Sequence, residues 1–141
     1  MLVALQRLDE RDLDLRNRTY RAHVDTGRAP APEELGPCAE VLAGWRRLHE
    51  AHALVLDGDS LRMLNPFSAV PTRYRVEAGG RSWYANCAWD AFGIPAALGV
   101  DGRIEHRDIA VEVRGGRPDD ERLVFHCEVP AAHWWDDIVY T

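Results

Sequence analysis

The chain has 141 residues, 46% of them hydrophobic, and a formal net charge of −6. Its length fits one compact domain or two small lobes, and its negative charge argues against nonspecific binding to nucleic acid. No apolar stretch approaches the roughly 20 residues that cross a bilayer, and the start at residues 1–7 lacks the features of a secretory signal. Three cysteines without a CxxC spacing indicate free thiols. We therefore expect a soluble, cytoplasmic protein that has no membrane partner.

Three helices and a hairpin are predicted for the first part of the chain. The first helix covers about residues 9–25, and Pro32 opens a short second helix. The third helix, over residues 38–52, has the clearest apolar stripe, formed by Val41, Leu42, Trp45 and Leu48. Residues 53–56 and 61–64 then flank an Asp-Gly turn, which is typical of a β-hairpin. This order predicts a winged-helix-like N-terminal region over residues 1–66.

The second part of the chain, residues 67–141, is predicted to be mainly antiparallel sheet with short helices, which makes the protein α+β. Strands are expected at residues 73–77 and 81–86 around a Gly-Gly turn, and at 107–114 and 123–129 on either side of another turn. Between these two pairs a short helix begins at Cys87. Gly93 and Pro95 should disturb that helix, since proline removes a helical N–H group.

Cys87 and Asp90 are the residues whose spacing best suits chemistry. If Asn86 caps the helix, Cys87 lies in the first turn, where the helix dipole should lower its thiol pKa. A thiolate is both a nucleophile and a soft-metal ligand. Asp90 lies on the same helix face and could donate a proton, because the pKa of a carboxyl group rises when the group is buried beside a negative charge. In the alternative interpretation, Cys87 is a small core residue and Asp90 is a solvated carboxylate.

Other candidate sites are weaker. His49 and His52 lack the HExxH spacing and are expected on the solvated surface of a helix. Cys127 lies in a predicted strand and is expected to be structural. The aromatic run at residues 133–137 could line a pocket or only pack. Phosphate-binding, dinucleotide-binding and serine-hydrolase motifs are absent from the sequence, which favours thiol chemistry.

The segment Arg81-Ser-Trp-Tyr-Ala-Asn-Cys87-Ala-Trp-Asp90-Ala-Phe-Gly-Ile-Pro95-Ala-Ala-Leu-Gly99 resembles the first catalytic segment of the alkylmercury lyase (organomercurial lyase) family. In that family a strand delivers a cysteine, an aspartate follows three residues later, and a Pro-Ala-Leu-Gly-like stretch comes next. Residues 27–65 resemble the helical and hairpin portion that precedes it. The resemblance implies the alkylmercury lyase-like fold, a mainly antiparallel sheet with helices around it.

The resemblance also implies a reaction, the cleavage of a carbon–mercury bond. A thiolate attacks mercury, an acid protonates the carbon, and two thiolates hold the mercuric product. Cys87 and Asp90 take the first two roles and contact the mercury, which is substrate and product rather than cofactor. No cofactor is implied, and free thiols remove the product. Weaker candidates for the wall of the substrate pocket are Trp89, Phe92, Trp134 and Trp135.

The second cysteine of the family is expected directly after Thr141, because residues 129–141 resemble the stretch that precedes it. The chain is therefore expected to be either a truncated lyase or a divergent member without the second thiol, which could cleave a related carbon–heteroatom bond. Cys127 is a weak candidate to replace that thiol. A missing strand beyond Thr141 would also expose a sheet edge, so a homodimer is a hypothesis.

Two other functions compete with the lyase. One is a non-catalytic protein that binds soft metals or reacts with thiol-directed ligands through Cys87. The other is a winged-helix transcriptional regulator with Arg46 and Arg47 facing DNA. Residues 1–65 contain nine Arg against eleven Asp and Glu, so a nucleic-acid partner is not expected.

Overall fold

Within residues 8–139, the part of the chain that this computed structural model describes, eight strands form one antiparallel sheet. Its order is β1-β2-β3-β5-β4-β6-β7-β8. The strands are β1 (Val55–Asp57), β2 (Ser60–Leu64), β3 (Phe67–Ser68), β4 (Tyr74–Ala78), β5 (Arg81–Ala85), β6 (Gly102–His106), β7 (Ile109–Arg114) and β8 (Arg117–Pro118). The helices are α1 (Glu10–Thr26), α2 (Cys38–Glu50) and α3 (Ala88–Leu98), with 3₁₀ turns at Pro32–Glu34 and Ala131–Asp136. The predicted α+β class is confirmed.

Two helices that pack on each other cover the N-terminal part of the sheet. The Asp9 side chain caps α1 by accepting a hydrogen bond from the Asp12 N–H at 2.8 Å, and Gly27 ends α1 in the left-handed region at φ 74°. Helix α2 buries the apolar stripe that its sequence predicts, and the indole N–H of Trp45 donates to Thr19 of α1 at 3.0 Å. The predicted first and third helices are confirmed. The second is only a single 3₁₀ turn.

The predicted hairpin is confirmed as β1 and β2, and it belongs to the main sheet. Strand β3 pairs with β2 on one side and with β5 on the other. Strands from residues 1–66 and from residues 67–141 therefore share one sheet. Both the division of the chain at residue 66 and the winged-helix interpretation stay predictions. Residues 1–7, at which the sequence predicts no secretory signal, and residues 140–141 lie outside the described range.

Helix α3 continues through Gly93 and Pro95, so the prediction that these residues disturb it was wrong. Pro95 is buried, and its ring occupies the space beside Gly102: a Cβ atom added at Gly102 would lie 2.9 Å from Pro95 Cγ. This packing against β6 compensates for the hydrogen bond that proline cannot donate. The helix ends instead at Gly99, which adopts φ 66°.

Two strand pairs were predicted for the second part of the chain. The first pair is confirmed as β4 and β5. In the second pair, the strand predicted over residues 107–114 begins at Ile109, because Arg107 turns the chain at φ 53°. Strand β6 was not predicted, although it pairs along both β4 and β7. The prediction of a strand at residues 123–129 was wrong, because this segment is irregular and largely exposed. Directly after β8, the Asp119 carboxylate accepts a hydrogen bond from the Glu112 N–H of β7 at 3.1 Å. The chain then leaves the sheet.

The core lies between the sheet and the three helices and forms one cluster from α1 to β7. None of the helices within residues 8–139 has the length and apolar character needed to cross a membrane. The most completely buried large side chains of the core are Trp45, Leu48, Leu54, Leu64, Ile94 and Val76.

Candidate active site

Cys87 lies between the end of β5 and the start of α3, where it caps the helix. Its backbone is extended, with φ −150° and ψ −179°, and its Sγ accepts a hydrogen bond from the Asp90 N–H at 3.4 Å. The prediction that Asn86 is the cap was therefore wrong by one residue. The Cys87 side chain is half-buried, so its sulfur lies at the edge of the core.

The pKa of the Cys87 thiol is raised, and burial is the largest cause. Hydrogen bonds from the backbone N–H groups of Asp90 and Trp89 act in the opposite direction, as expected at a helix start, while the negative charge of Asp90 raises the pKa further. The predicted lowering of the thiol pKa was wrong because burial outweighs the helix end. The free protein therefore favours a protonated thiol at neutral pH.

The pKa of the Asp90 carboxyl is also raised, again mainly because the group is buried. Hydrogen bonds from the Asn86 and Cys87 side chains lower it in part. The rise agrees with the prediction from sequence. The arrangement places a thiol beside a carboxyl group, which is the pair needed to attack a soft electrophile and to protonate a leaving group.

Asn86 joins the start of α3 to the turn between β2 and β3. Its amide donates to Asn65 Oδ1 at 2.8 Å and to the Phe67 carbonyl at 3.0 Å. Pro66 of the same turn packs on α3, where a Cβ atom added at Gly93 would lie 3.3 Å from Pro66 Cβ. Sequence reasoning did not identify these partners, which lie about 20 residues away along the chain.

Helix α1 contributes Tyr20 to the same side of the molecule, a residue that sequence reasoning missed. Burial is the main cause of its raised pKa, and the Asp90 charge is among the smaller ones. The Tyr20 hydroxyl donates to the Ala53 carbonyl at 3.2 Å, and the Arg16 guanidinium lies 4.3 Å from its ring centroid. Arg16 precedes Tyr20 by about one helical turn of α1, and this spacing was the sign of their contact that the sequence offered.

The four aromatic residues predicted for a substrate pocket fall in two places. Trp89 and Phe92 line an apolar cavity of about 670 Å³, where Phe125 packs edge-on against both. Neither Cys87 nor Asp90 lines this cavity, which lies along another face of α3. Trp135 stacks on His52 with ring centroids 3.8 Å apart, and the Trp134 indole donates to the Val129 carbonyl. The pocket role of the four residues stays a prediction.

The remaining sulfur and histidine candidates are separate from this pair. Cys127 is exposed in the irregular segment after β8, so its role as a second thiol stays a prediction. His49 is half-buried and accepts a hydrogen bond from the Leu56 N–H at 3.1 Å, which corrects its expected place on the solvated surface. Between residues 8 and 139, three or more His, Cys, Asp or Glu side chains do not converge on a metal site.

Comparisons with known proteins agree with the fold and the site segment. The family model for alkylmercury lyase, MerB, matches residues 67–141. The structure resembles the crystal structure of the mercury-bound form of MerB2, with a TM-score of 0.65 and 22% sequence identity over 84% of this chain. The match spans 63% of that solved chain, and no curated protein matches. Because the family model covers more than half of the sequence, including Cys87 and Asp90, the chain belongs to the alkylmercury lyase family.

Proposed function

We propose that this protein cleaves the carbon–mercury bond of organomercurials, with Cys87 as nucleophile and Asp90 as proton carrier. The observation that carries the proposal is the half-buried Cys87 thiol at the start of α3, whose Sγ accepts a hydrogen bond from the Asp90 N–H at 3.4 Å and whose pKa the Asp90 carboxyl raises. Mercury is a soft metal and binds thiolate more strongly than oxygen ligands. A cysteine is therefore suited to capture the substrate.

The first step transfers the thiol proton to the carboxylate. As Cys87 sulfur forms a bond to the mercury of R–Hg–X, the Asp90 carboxylate takes the thiol proton and X⁻ leaves. The raised pKa of Asp90 favours this transfer, because the carboxyl group holds the proton more readily than an exposed aspartate does. The products of the step are Cys87–S–Hg–R and a protonated Asp90.

The second step breaks the carbon–mercury bond. The bonding electron pair stays with the carbon, which takes the Asp90 proton and leaves as R–H, while Hg(II) stays on the Cys87 sulfur. A second sulfur would stabilise this product, and free thiols in solution would remove it. Cys127 is a candidate for the second protein thiol because it is free and exposed.

The reaction can be tested with a simple alkyl- or arylmercury compound and an excess of thiol. The wild-type protein is expected to release the hydrocarbon, whereas Cys87→Ser and Asp90→Asn release it no faster than buffer does. Cys38→Ser is the matched control, since that cysteine lies at the start of α2 and should keep full activity.

The same experiment separates the lyase from a binding protein. One stoichiometric mercury adduct on Cys87 without hydrocarbon would support a non-catalytic soft-metal protein and contradict the lyase. Equal hydrocarbon release by wild type and Cys87→Ser would contradict both functions. Turnover of a related carbon–heteroatom substrate in place of the mercurial would identify a divergent branch.

We also propose that the protein works in the cytoplasm and forms a homodimer. Three free cysteines suit a reducing compartment. Exposed apolar side chains on α3, on β7 and in the segment after β8, namely Trp89, Ile109 and Val124, offer a surface for a second copy. Light scattering at micromolar concentration is expected to give twice the 15.9 kDa of one chain, and a mass of one chain would contradict the dimer.

A further inference from the structure

The Asn86 side chain occupies the space between the site and the turn that joins β2 to β3. Its Nδ2 lies 2.8 Å from Asn65 Oδ1, 3.0 Å from the Phe67 carbonyl oxygen and 3.5 Å from the Pro66 carbonyl oxygen. All three partners are acceptors, so the amide must present its N–H₂ group to the turn. Its own Oδ1 is buried without a hydrogen-bond partner among the described residues.

Asn86 also acts on the reacting pair. It directly precedes Cys87, which caps α3, and its amide is among the groups that lower the pKa of the Asp90 carboxyl. The N–H₂ group that donates to the turn is therefore also the group that favours the charged form of Asp90.

We propose that Asn86 is a positioning residue for the lyase reaction, which ties the start of α3 to the Asn65–Phe67 turn and so holds the Cys87 sulfur against Asp90. The inference rests on the proposed function for its catalytic meaning. Asn86 acts through its neighbours. Loss of its hydrogen bonds loosens the first turn of α3, which exposes the sulfur and separates the thiol from the carboxyl.

Asn65 offers a matched pair of variants for the test. It is exposed, so substitutions there leave the core intact. Asn65→Asp keeps an oxygen acceptor of the same shape for the Asn86 N–H₂ group, whereas Asn65→Ala removes the acceptor. Asn86→Asp is the complementary change, because it keeps the shape of Asn86 and replaces both donors with oxygen.

The first readout is the alkylation rate of Cys87 by iodoacetamide, followed for each cysteine peptide by mass spectrometry. Exposed Cys127 serves as the internal reference. Asn65→Ala and Asn86→Asp are expected to alkylate Cys87 about fivefold faster than wild type, the factor that one hydrogen bond of ordinary strength contributes. Asn65→Asp should match wild type.

The second readout is steady-state turnover of an alkylmercury compound. Asn65→Ala and Asn86→Asp are expected to lower kcat roughly tenfold with KM unchanged, because misplacement of reacting groups slows the chemical step. Asn65→Asp should restore kcat. A change that only weakened the fold would also accelerate the alkylation of half-buried Cys38 and would not be rescued by Asn65→Asp.

Equal Cys87 alkylation rates in Asn65→Ala and Asn65→Asp, or equal acceleration of Cys38, would overturn the positioning role. The alkylation readout needs no turnover, so it stands even if wild type releases no hydrocarbon. In that case the lyase proposal fails alone, and the rates still show whether Asn86 holds Cys87.

Discussion

At the scale of single residues, burial controls the chemistry of Cys87 and Asp90. Both side chains lie against the core, and burial raises the pKa of each. Burial makes the charged form of each group less favourable than it is for an exposed side chain. The pair therefore suits a reaction in which a proton moves from sulfur to carboxylate and then to carbon.

The pH dependence of Cys87 alkylation tests this electrostatic coupling. For wild type, the midpoint of the rate profile is expected above the pKa of an ordinary cysteine. Asp90→Asn should move the midpoint to lower pH, because it removes a negative charge that raises the thiol pKa. The rates can be followed at the Cys87 peptide in both proteins. A midpoint that stays fixed or rises in Asp90→Asn would show that the carboxyl does not act on the thiol.

His23 is a second residue whose environment should affect stability. It is 2% exposed, and its ring packs edge-on against Phe67 with ring centroids 5.5 Å apart. Burial lowers its pKa below the ordinary value of 6.5, and a hydrogen bond with the Arg28 backbone opposes this shift only in part. The unfolded chain therefore binds a proton at higher pH than the folded protein does, and stability falls as the pH falls below about 6.5.

Replacement of His23 by Leu should remove this pH dependence. Urea unfolding at pH 7 and pH 5 is expected to show a larger loss of unfolding free energy for wild type than for His23→Leu. His126→Leu is the control, because the His126 side chain is 82% exposed. Identical losses for wild type and His23→Leu would contradict the buried neutral imidazole.

At the scale of elements, a charged pair fixes α1 against α2. The Arg47 guanidinium donates to both oxygens of the Asp12 carboxylate, at 2.7 Å and 2.9 Å. The Asp12 side chain is 5% exposed, whereas that of Arg47 is 55% exposed. The Asp12 carboxylate has therefore lost most of its hydration, and the Arg47 charge compensates for that loss. Arg47 itself keeps much of its hydration.

Arg47→Ala is expected to lower the free energy of unfolding by about 2 kcal/mol, because it leaves a buried carboxylate without its charged partner. Chemical denaturation gives the measurement. The control is Arg46→Ala on the same helix, which breaks an exposed pair with Asp59 and should change stability little. Equal effects of the two variants would mean that the burial of Asp12 does not determine the result.

At the scale of the whole molecule, the sheet makes the two halves of the chain interdependent. The hairpin β1–β2 is joined to β5 through β3. Helix α1 contacts β3 where the His23 ring packs on Phe67. It contacts β5 where the Val24 carbonyl accepts a hydrogen bond from the Trp83 indole at 3.1 Å. The core cluster includes residues from both halves. The lyase-like second half is therefore covered by the first.

A fragment of residues 67–141 is expected not to fold alone, since it would expose the apolar face that α1, α2 and the hairpin bury. Circular dichroism of this fragment should show no cooperative melting, whereas the full chain melts in one transition. Trp83 fluorescence offers a second probe. A fragment with its own cooperative transition would instead support two independent domains divided at residue 66.

The sequence by itself determined the features that depend on local periodicity and turn chemistry. The apolar stripes predicted α1 and α2, the Asp-Gly turn predicted β1–β2, and the Gly-Gly turn predicted β4–β5. The three-residue spacing identified Cys87 and Asp90, and their segment indicated the alkylmercury lyase family. Each of these signals lies within a few residues of the element that it specifies.

Only the tertiary structure decided the features that depend on distant neighbours. Packing beside Gly102 lets Pro95 remain inside α3, and pairing with two strands forms β6. Burial raises the pKa of Cys87, whereas the sequence predicted a lowered pKa. The Asn86 amide donates to the Asn65–Phe67 turn, although the sequence predicted that Asn86 caps α3. Desolvation and long-range hydrogen bonds arise from residues far apart in sequence, which is why local patterns could not predict them.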